Sequence, residues 1–171
     1  MEDLIAAWTE FASVLKGYGK AFFLNGPCSS EAIRNAEREL GFELPPALAT
    51  LLKLSDGQTP DSVGLFKSVS GWDVYLRHSF LGAEGLAVAY RKFVKNGYLL
   101  EVFGDQEIPF AVAGTPDDYR EVFSVNRETG EVSLVETQII DPLLPPDWQI
   151  FRRPRAGSLA EFLRGQVVMY R

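Results

Sequence analysis

Residues 30–58 read SEAIRNAERELGFELPPALATLLKLSDGQ, and the punctuation of this stretch decides the fold. Ile33, Ala36 and Leu40 recur at helical spacing, so they share one face. Glu31 falls in the first turn, where a carboxylate suits the helix dipole. Gly41 follows at the position of a left-handed C-cap. Leu44-Pro45-Pro46 then opens a second helix, because proline has a helical φ and lacks the N–H that a first turn leaves unused. Leu48, Leu51 and Leu52 form its apolar face, and Asp56-Gly57 stops it with a turn. The stretch predicts two short helices closed into a hairpin.

Outward from the hairpin, residues 2–16 predict a helix with Leu4, Ile5, Trp8, Phe11, Ala12 and Leu15 as its apolar stripe. Gly17-Tyr18-Gly19 ends it, and residues 21–24 read as a short linking segment. Leu65-Phe66 and Trp72–Leu76 have strand composition. Residues 82–95 predict a helix closed by Asn96-Gly97. Strands are expected at 98–103, 108–113, 121–126 and 131–135. The last two are separated by Arg127-Glu128-Thr129-Gly130 and should pair as a hairpin. Residues 143–147 form a proline-punctuated loop, after which 148–151 returns to the sheet. Ser158 with Glu161 is a capping box that starts a final helix, 158–169. The expected fold is α+β: one domain over 1–171, with signature helices at 30–57, a mainly antiparallel sheet region at 64–151 and a C-terminal helix.

The pattern Ile33-x-x-Ala36-Glu37-x-x-Leu40-Gly41-x-x-Leu44-Pro45, then Leu51-Leu52-x-Leu54-x-Asp56-Gly57-Gln58, resembles the N-terminal signature of the SUKH superfamily. That group includes the fungal cell-wall-assembly regulators and many bacterial immunity proteins. Ile108-Pro109-Phe110-Ala111 and Ser158–Leu163 fit the family's second half. The resemblance implies the same α+β architecture and a binding domain without catalysis. Many relatives resemble Gly-Gly-Asp in the loop before the 121–126 strand and carry an Asp late in that strand. Here those places hold Pro116-Asp117-Asp118 and Asn126.

The chain has 171 residues, 46% of them hydrophobic, enough for a sizeable core. Its one cysteine, Cys28, excludes an intrachain disulfide and points to a reducing compartment, hence a cytoplasmic location. The start, Met1-Glu2-Asp3, is not that of a Sec-type signal peptide. No apolar run approaches the roughly 18 residues of a membrane span.

Chemistry is sparse. His78 is the only histidine, and no metal-ligand spacing occurs, so no metal or other cofactor is expected. No nucleophile elbow is present, and a histidine beside Arg77 reads as structural or exposed. Cys28 reads as an ordinary thiol, since free cysteine acts mainly as a small hydrophobe. Gly17-Tyr18-Gly19-Lys20 matches no phosphate loop, and Asp117-Asp118 reads as a turn rather than a catalytic pair.

Charge is unevenly spread. Net charge is −6; residues 1–100 are near neutral, 101–147 hold 11 acidic residues against Arg120 and Arg127, and 148–171 are basic. The acidic segment argues against nucleic acid; it reads either as a solvated sheet face or as an electronegative face that attracts a basic protein partner. The candidate partner-binding carboxylates are Asp105, Glu107, Asp117, Asp118, Glu128 and Glu131, placed in turns or strand ends. Trp72 and Tyr119 are the candidate aromatic anchors, with a plain core or turn position as the competing reading of both. The expected function is an immunity protein that binds a basic toxin domain, as a monomer or weak dimer, with a cell-wall-type regulatory scaffold as the alternative and a small-ligand enzyme third.

Overall fold

A computed structural model describes residues 1–60, 62–69, 75–95, 106–115, 118–139 and 148–171. Five α-helices and six strands are described: α1 Glu2–Gly17, α2 Ser30–Leu40, α3 Pro46–Leu54, β1 Phe66–Val69, β2 Tyr75–Phe80, α4 Ala83–Tyr90, β3 Glu107–Thr115, β4 Asp118–Asn126, β5 Val132–Ile139, β6 Trp148–Ala156 and α5 Leu159–Tyr170. The strands form one antiparallel sheet in chain order, β1 to β6. The α+β architecture expected from the sequence is what the chain adopts.

The helical hairpin forms for the reasons its punctuation gives. Ser29 caps α2 by accepting from the Ala32 N–H at 3.0 Å, and Gly41 ends it at φ 84°. Glu37 reaches across the turn, its Oε1 accepting from the Leu44 N–H at 3.0 Å, which fixes the entry to α3. Leu48, Leu51 and Leu52 are completely buried.

Asp56-Gly57-Gln58 does more than stop α3. Asp56 Oδ1 accepts from the Ala83 N–H at 2.8 Å and so caps α4, whose own preceding residue, Gly82, has no side chain to do it. Gly57, at φ 72°, runs so close to the next segment that a Cβ there would meet the Gly82 nitrogen at 2.2 Å. Buried Gln58 accepts from the Leu65 and Phe80 N–H groups at 3.2 and 2.9 Å, and donates to Ser62 Oγ at 2.7 Å. One tripeptide thereby joins the hairpin to α4 and the sheet.

The core is aromatic. Phe162 of α5 sits on Phe66, Phe110 and Phe123 of β1, β3 and β4, with ring centres 5.2, 5.5 and 4.8 Å away. Phe11 of α1 stacks on Phe66 at 5.4 Å, and Trp8 meets Phe80. Helices α1 and α5 therefore cover the sheet together, and α4 packs between α2 and β3.

Several elements depart from expectation. The segment 21–24 begins with a 3-10 turn, Ala21–Phe23. Strand β2 runs through Arg77-His78-Ser79 to Phe80, beyond the expected 72–76; this polar run is held by pairing to β1 and β3 rather than by strand composition. The helix expected over 82–95 is α-helical only to Tyr90 and continues as a π-helical turn, Arg91–Lys95. Strand β6 continues through Arg152-Arg153-Pro154-Arg155, an edge strand on which proline and exposed charge discourage further pairing. The other edge, β1, is closed by α5: Gln166 accepts from the Lys67 N–H at 2.7 Å and donates to its carbonyl at 3.0 Å. The capping box holds in part. Ser158 accepts from the Glu161 N–H, but Glu161 reaches the Gly157 N–H at 2.8 Å instead of that of Ser158. The strand expected at 98–103 and the loop at 143–147 lie outside the described residues.

Candidate functional site

The β4–β5 hairpin places the first group of candidate carboxylates. Its turn is built by Asn126, whose Oδ1 accepts from the Glu128 and Thr129 N–H groups, both at 3.0 Å, with Gly130 at φ 75°. Glu128 is exposed at the tip. Glu131 is half-buried, 3.3 Å from Arg152 Nη2. Glu107, expected at the solvent-facing start of its strand, is instead 3% exposed. It pairs with Asn126 across β3–β4, which turns it over the sheet. There it accepts from Ser124 Oγ at 2.7 Å, Asn126 Nδ2 at 3.0 Å and Arg152 Nη2 at 2.9 Å. A buried carboxylate so fully bonded is a structural anchor for Arg152, not a surface charge.

Asp118 and Tyr119 sit at the other end of β4, opposite Thr115 and Gly114. At ~3.4 Å per residue, the length of β4 puts about 27 Å between Asp118 and the Asn126 turn. The structure thus brings Glu107, Glu128 and Glu131 to one end of the sheet and Asp118 and Tyr119 to the opposite end. Trp72, Asp105 and Asp117 lie outside the described residues.

A second polar cluster lies under the helices. Glu121 and Glu136 are direct cross-strand partners on β4 and β5, on the face that carries Phe123 and Leu134. Both are buried, as are Ser68 and His78. Ser68 Oγ donates to Glu121 Oε2 at 2.8 Å, and His78 Nε2 lies 3.3 Å from the same oxygen. Arg153 Nε is 2.9 Å from Glu136 Oε2, a charge contact without the alignment of a hydrogen bond. A cleft of about 240 Å³, lined by Ser68, Phe123, Arg155 and the outer turns of α5, reaches the edge of the cluster.

Burial pushes His78 below its ordinary value against the pull of Glu121, so the imidazole is neutral. Burial pushes the Glu136 carboxyl up, with Arg153 opposing and Glu121 adding to the rise. The Ser68 proton points to a carboxylate and not to the imidazole, so Ser68 and His78 do not form a nucleophile pair. The sequence analysis missed this cluster. Its signal was available as alternation: positions 121, 123, 125 and 132, 134, 136 share one face, and a glutamate interrupts each apolar series.

Cys28 is buried, and desolvation with the nearby Asp56 pushes its thiol up to about 11, which makes it an inert core group. Among the described residues no three His, Cys, Asp or Glu side chains converge as a metal site. Among them, too, no helix is long and apolar enough to cross a membrane.

No curated protein matches the chain in a sequence comparison. A family model does: that of the SMI1 / KNR4 family (SUKH-1) matches residues 27–165, from just before α2 into α5. Its members are in general protein-binding immunity or regulatory domains rather than enzymes. The match spans the punctuated hairpin, the whole sheet and the start of the closing helix, and the chain belongs to the SMI1 / KNR4 family (SUKH-1).

Proposed function

We propose that the chain is a bacterial immunity protein that neutralises a cognate toxin by direct binding, acting in the cytoplasm as a monomer or weak dimer. The observation that carries this reading is the family match over residues 27–165. The partner it suits is a basic toxin domain, because toxin nucleases carry positive surfaces for nucleic acid and an acidic protein competes for them. In support, Glu128 stands exposed at the β4–β5 turn, with Glu131 beside it. Asp105, Asp117 and Asp118 are the other carboxylates of the proposed partner-binding set, with Trp72 and Tyr119 as its proposed anchors. Glu107 is not part of it, since its charge is spent on Arg152. Co-expression with the product of a neighbouring toxin gene is the test. Protection of the host and co-purification of a one-to-one complex are expected; growth arrest undiminished by the protein would sink the reading and favour a regulatory scaffold.

A further inference from the structure

Lys67 and Arg77 are directly opposed on β1 and β2, so both side chains leave the same face of the sheet. Like charges in that position repel. A third cation, Lys20, arrives from the segment after α1. All three meet Tyr170 at the end of α5. Lys67 Nζ lies 3.8 Å from the ring centre and donates to the Met169 carbonyl at 2.7 Å. Lys20 Nζ is 5.4 Å from the same ring centre. Arg77 Nη1 is 3.4 Å from the phenol oxygen, whose own proton goes to the Leu65 carbonyl at 2.7 Å.

None of the three has a carboxylate at ion-pair distance among the described residues, whereas Arg91, Arg152, Arg153, Arg164 and Arg171 each have one. Burial and the neighbouring charges of Arg77 and Lys67 push the Lys20 ammonium down, and burial with Arg77 does the same to Lys67. An unneutralised, partly desolvated group of this kind is held at a cost that an anion removes.

We propose that Lys20, Lys67 and Arg77 form a binding site for the phosphate group of a small molecule. A phosphate monoester carries about −1.5 to −2 charges at neutral pH, which matches three cations better than a single carboxylate does. Two lysines supply point charges and the arginine a planar fork, the usual pairing for phosphate oxygens. The Tyr170 ring and the Met169 carbonyl hold the Lys67 ammonium in place before any ligand arrives. The site is a knot around one ring rather than a stripe that could follow a nucleic-acid backbone, and the net charge of −6 opposes a polyanion. This inference stands apart from the toxin reading.

The test is a nuclear magnetic resonance titration of the full chain with inorganic phosphate at constant ionic strength, balanced with chloride. Parallel arms use acetate and a single-stranded oligonucleotide. Saturable shifts confined to Lys20, Lys67, Arg77 and Tyr170 are expected. The dissociation constant should rise at least ~tenfold in Arg77→Gln, and likewise in Lys67→Met, which keeps its stem on the ring. Lys20→Gln gives the same readout should Lys67→Met fail to fold. Linear or diffuse shifts, acetate equal to phosphate, or an oligonucleotide that binds more tightly than phosphate would each overturn the assignment.

Discussion

At the scale of single residues, Gln58 shows how a side chain in a turn signal becomes a structural tie. Its carbonyl oxygen serves two buried backbone N–H groups, those of Leu65 and Phe80. Leucine in its place fills the volume and leaves both donors unpaired. At about 1–3 kcal/mol for each orphaned donor, Gln58→Leu should lower stability by roughly 2–6 kcal/mol in urea denaturation. A loss below about 0.5 kcal/mol, the scale of a neutral surface change, would show that the amide is replaceable. His78 makes a different prediction. Its folded value lies below the ordinary 6.5, so between the two the unfolded chain binds the proton and the folded chain does not. Its contribution is therefore complete above pH 6.5 and is lost as pH falls from there toward the folded value. Glu136 has the opposite sign: with its value raised above the ordinary 4.5, the folded chain holds the proton longer, and stability drops as pH rises from 4.5 to the folded value. His78→Gln should flatten the stability profile just below pH 6.5 and leave the lower limb in place. An unchanged slope there would mean that the imidazole is not buried neutral. Alternation puts Glu136 on the apolar face of its strand, but the partners of His78 and Glu136 were not legible in the sequence. Both depend on strand register, which sets His78 against Phe66 and Glu121 against Glu136, and no local signal carries register.

At the scale of elements, what could be read in advance was what is local. The two signature helices announce themselves by an acidic first turn, a left-handed glycine and a proline pair, each acting within a few residues. The β4–β5 hairpin is legible for the same reason, because its turn chemistry sits between two alternating runs. Strand β2 is not, since Arg77-His78-Ser79 has no strand composition and is recruited by its neighbours. The arginine run of β6 likewise reads as a charge cluster until β5 is there to receive it. The expected acidic face was only partly legible: Glu128 is where the turn predicts it, whereas Glu107 is drawn inward by Arg152, a partner 45 residues away. The hairpin gives a direct test of the local reading. Leu51 is fully buried on the core side of α3, so Leu51→Ala removes packed methyl groups and leaves a cavity. The expected cost is about 2–5 kcal/mol by chemical denaturation. A cost near that of an exposed leucine would place α3 outside the core.

At the scale of the whole molecule, the sheet neutralises part of the charge imbalance seen in the sequence. The acidic middle and the basic tail meet across β5 and β6, where Arg152 takes Glu107 and Glu131 and Arg153 takes Glu136. Glu121 is buried with His78 and Ser68. What the segment 101–147 has left for a partner is therefore smaller than its net −9. The carboxylates that matter for steering are those free of such pairing, with Glu128 the clearest among the described residues. If a basic toxin domain is drawn in by them, the association rate constant should fall as salt rises, because the Debye length is only ~8 Å at physiological ionic strength. Asp117→Asn, Asp118→Asn and Glu128→Gln together should lower that rate constant and its salt slope while the dissociation rate and the unfolding midpoint stay near the wild type. Glu107→Gln separates surface from interior: it should reduce stability by leaving Arg152 without its buried partner, and leave the association rate unchanged. Stopped-flow binding at two salt concentrations reads both effects. The steering argument fails if the triple variant associates as fast as the wild type at low salt, or if Glu107→Gln slows association as much as the triple change.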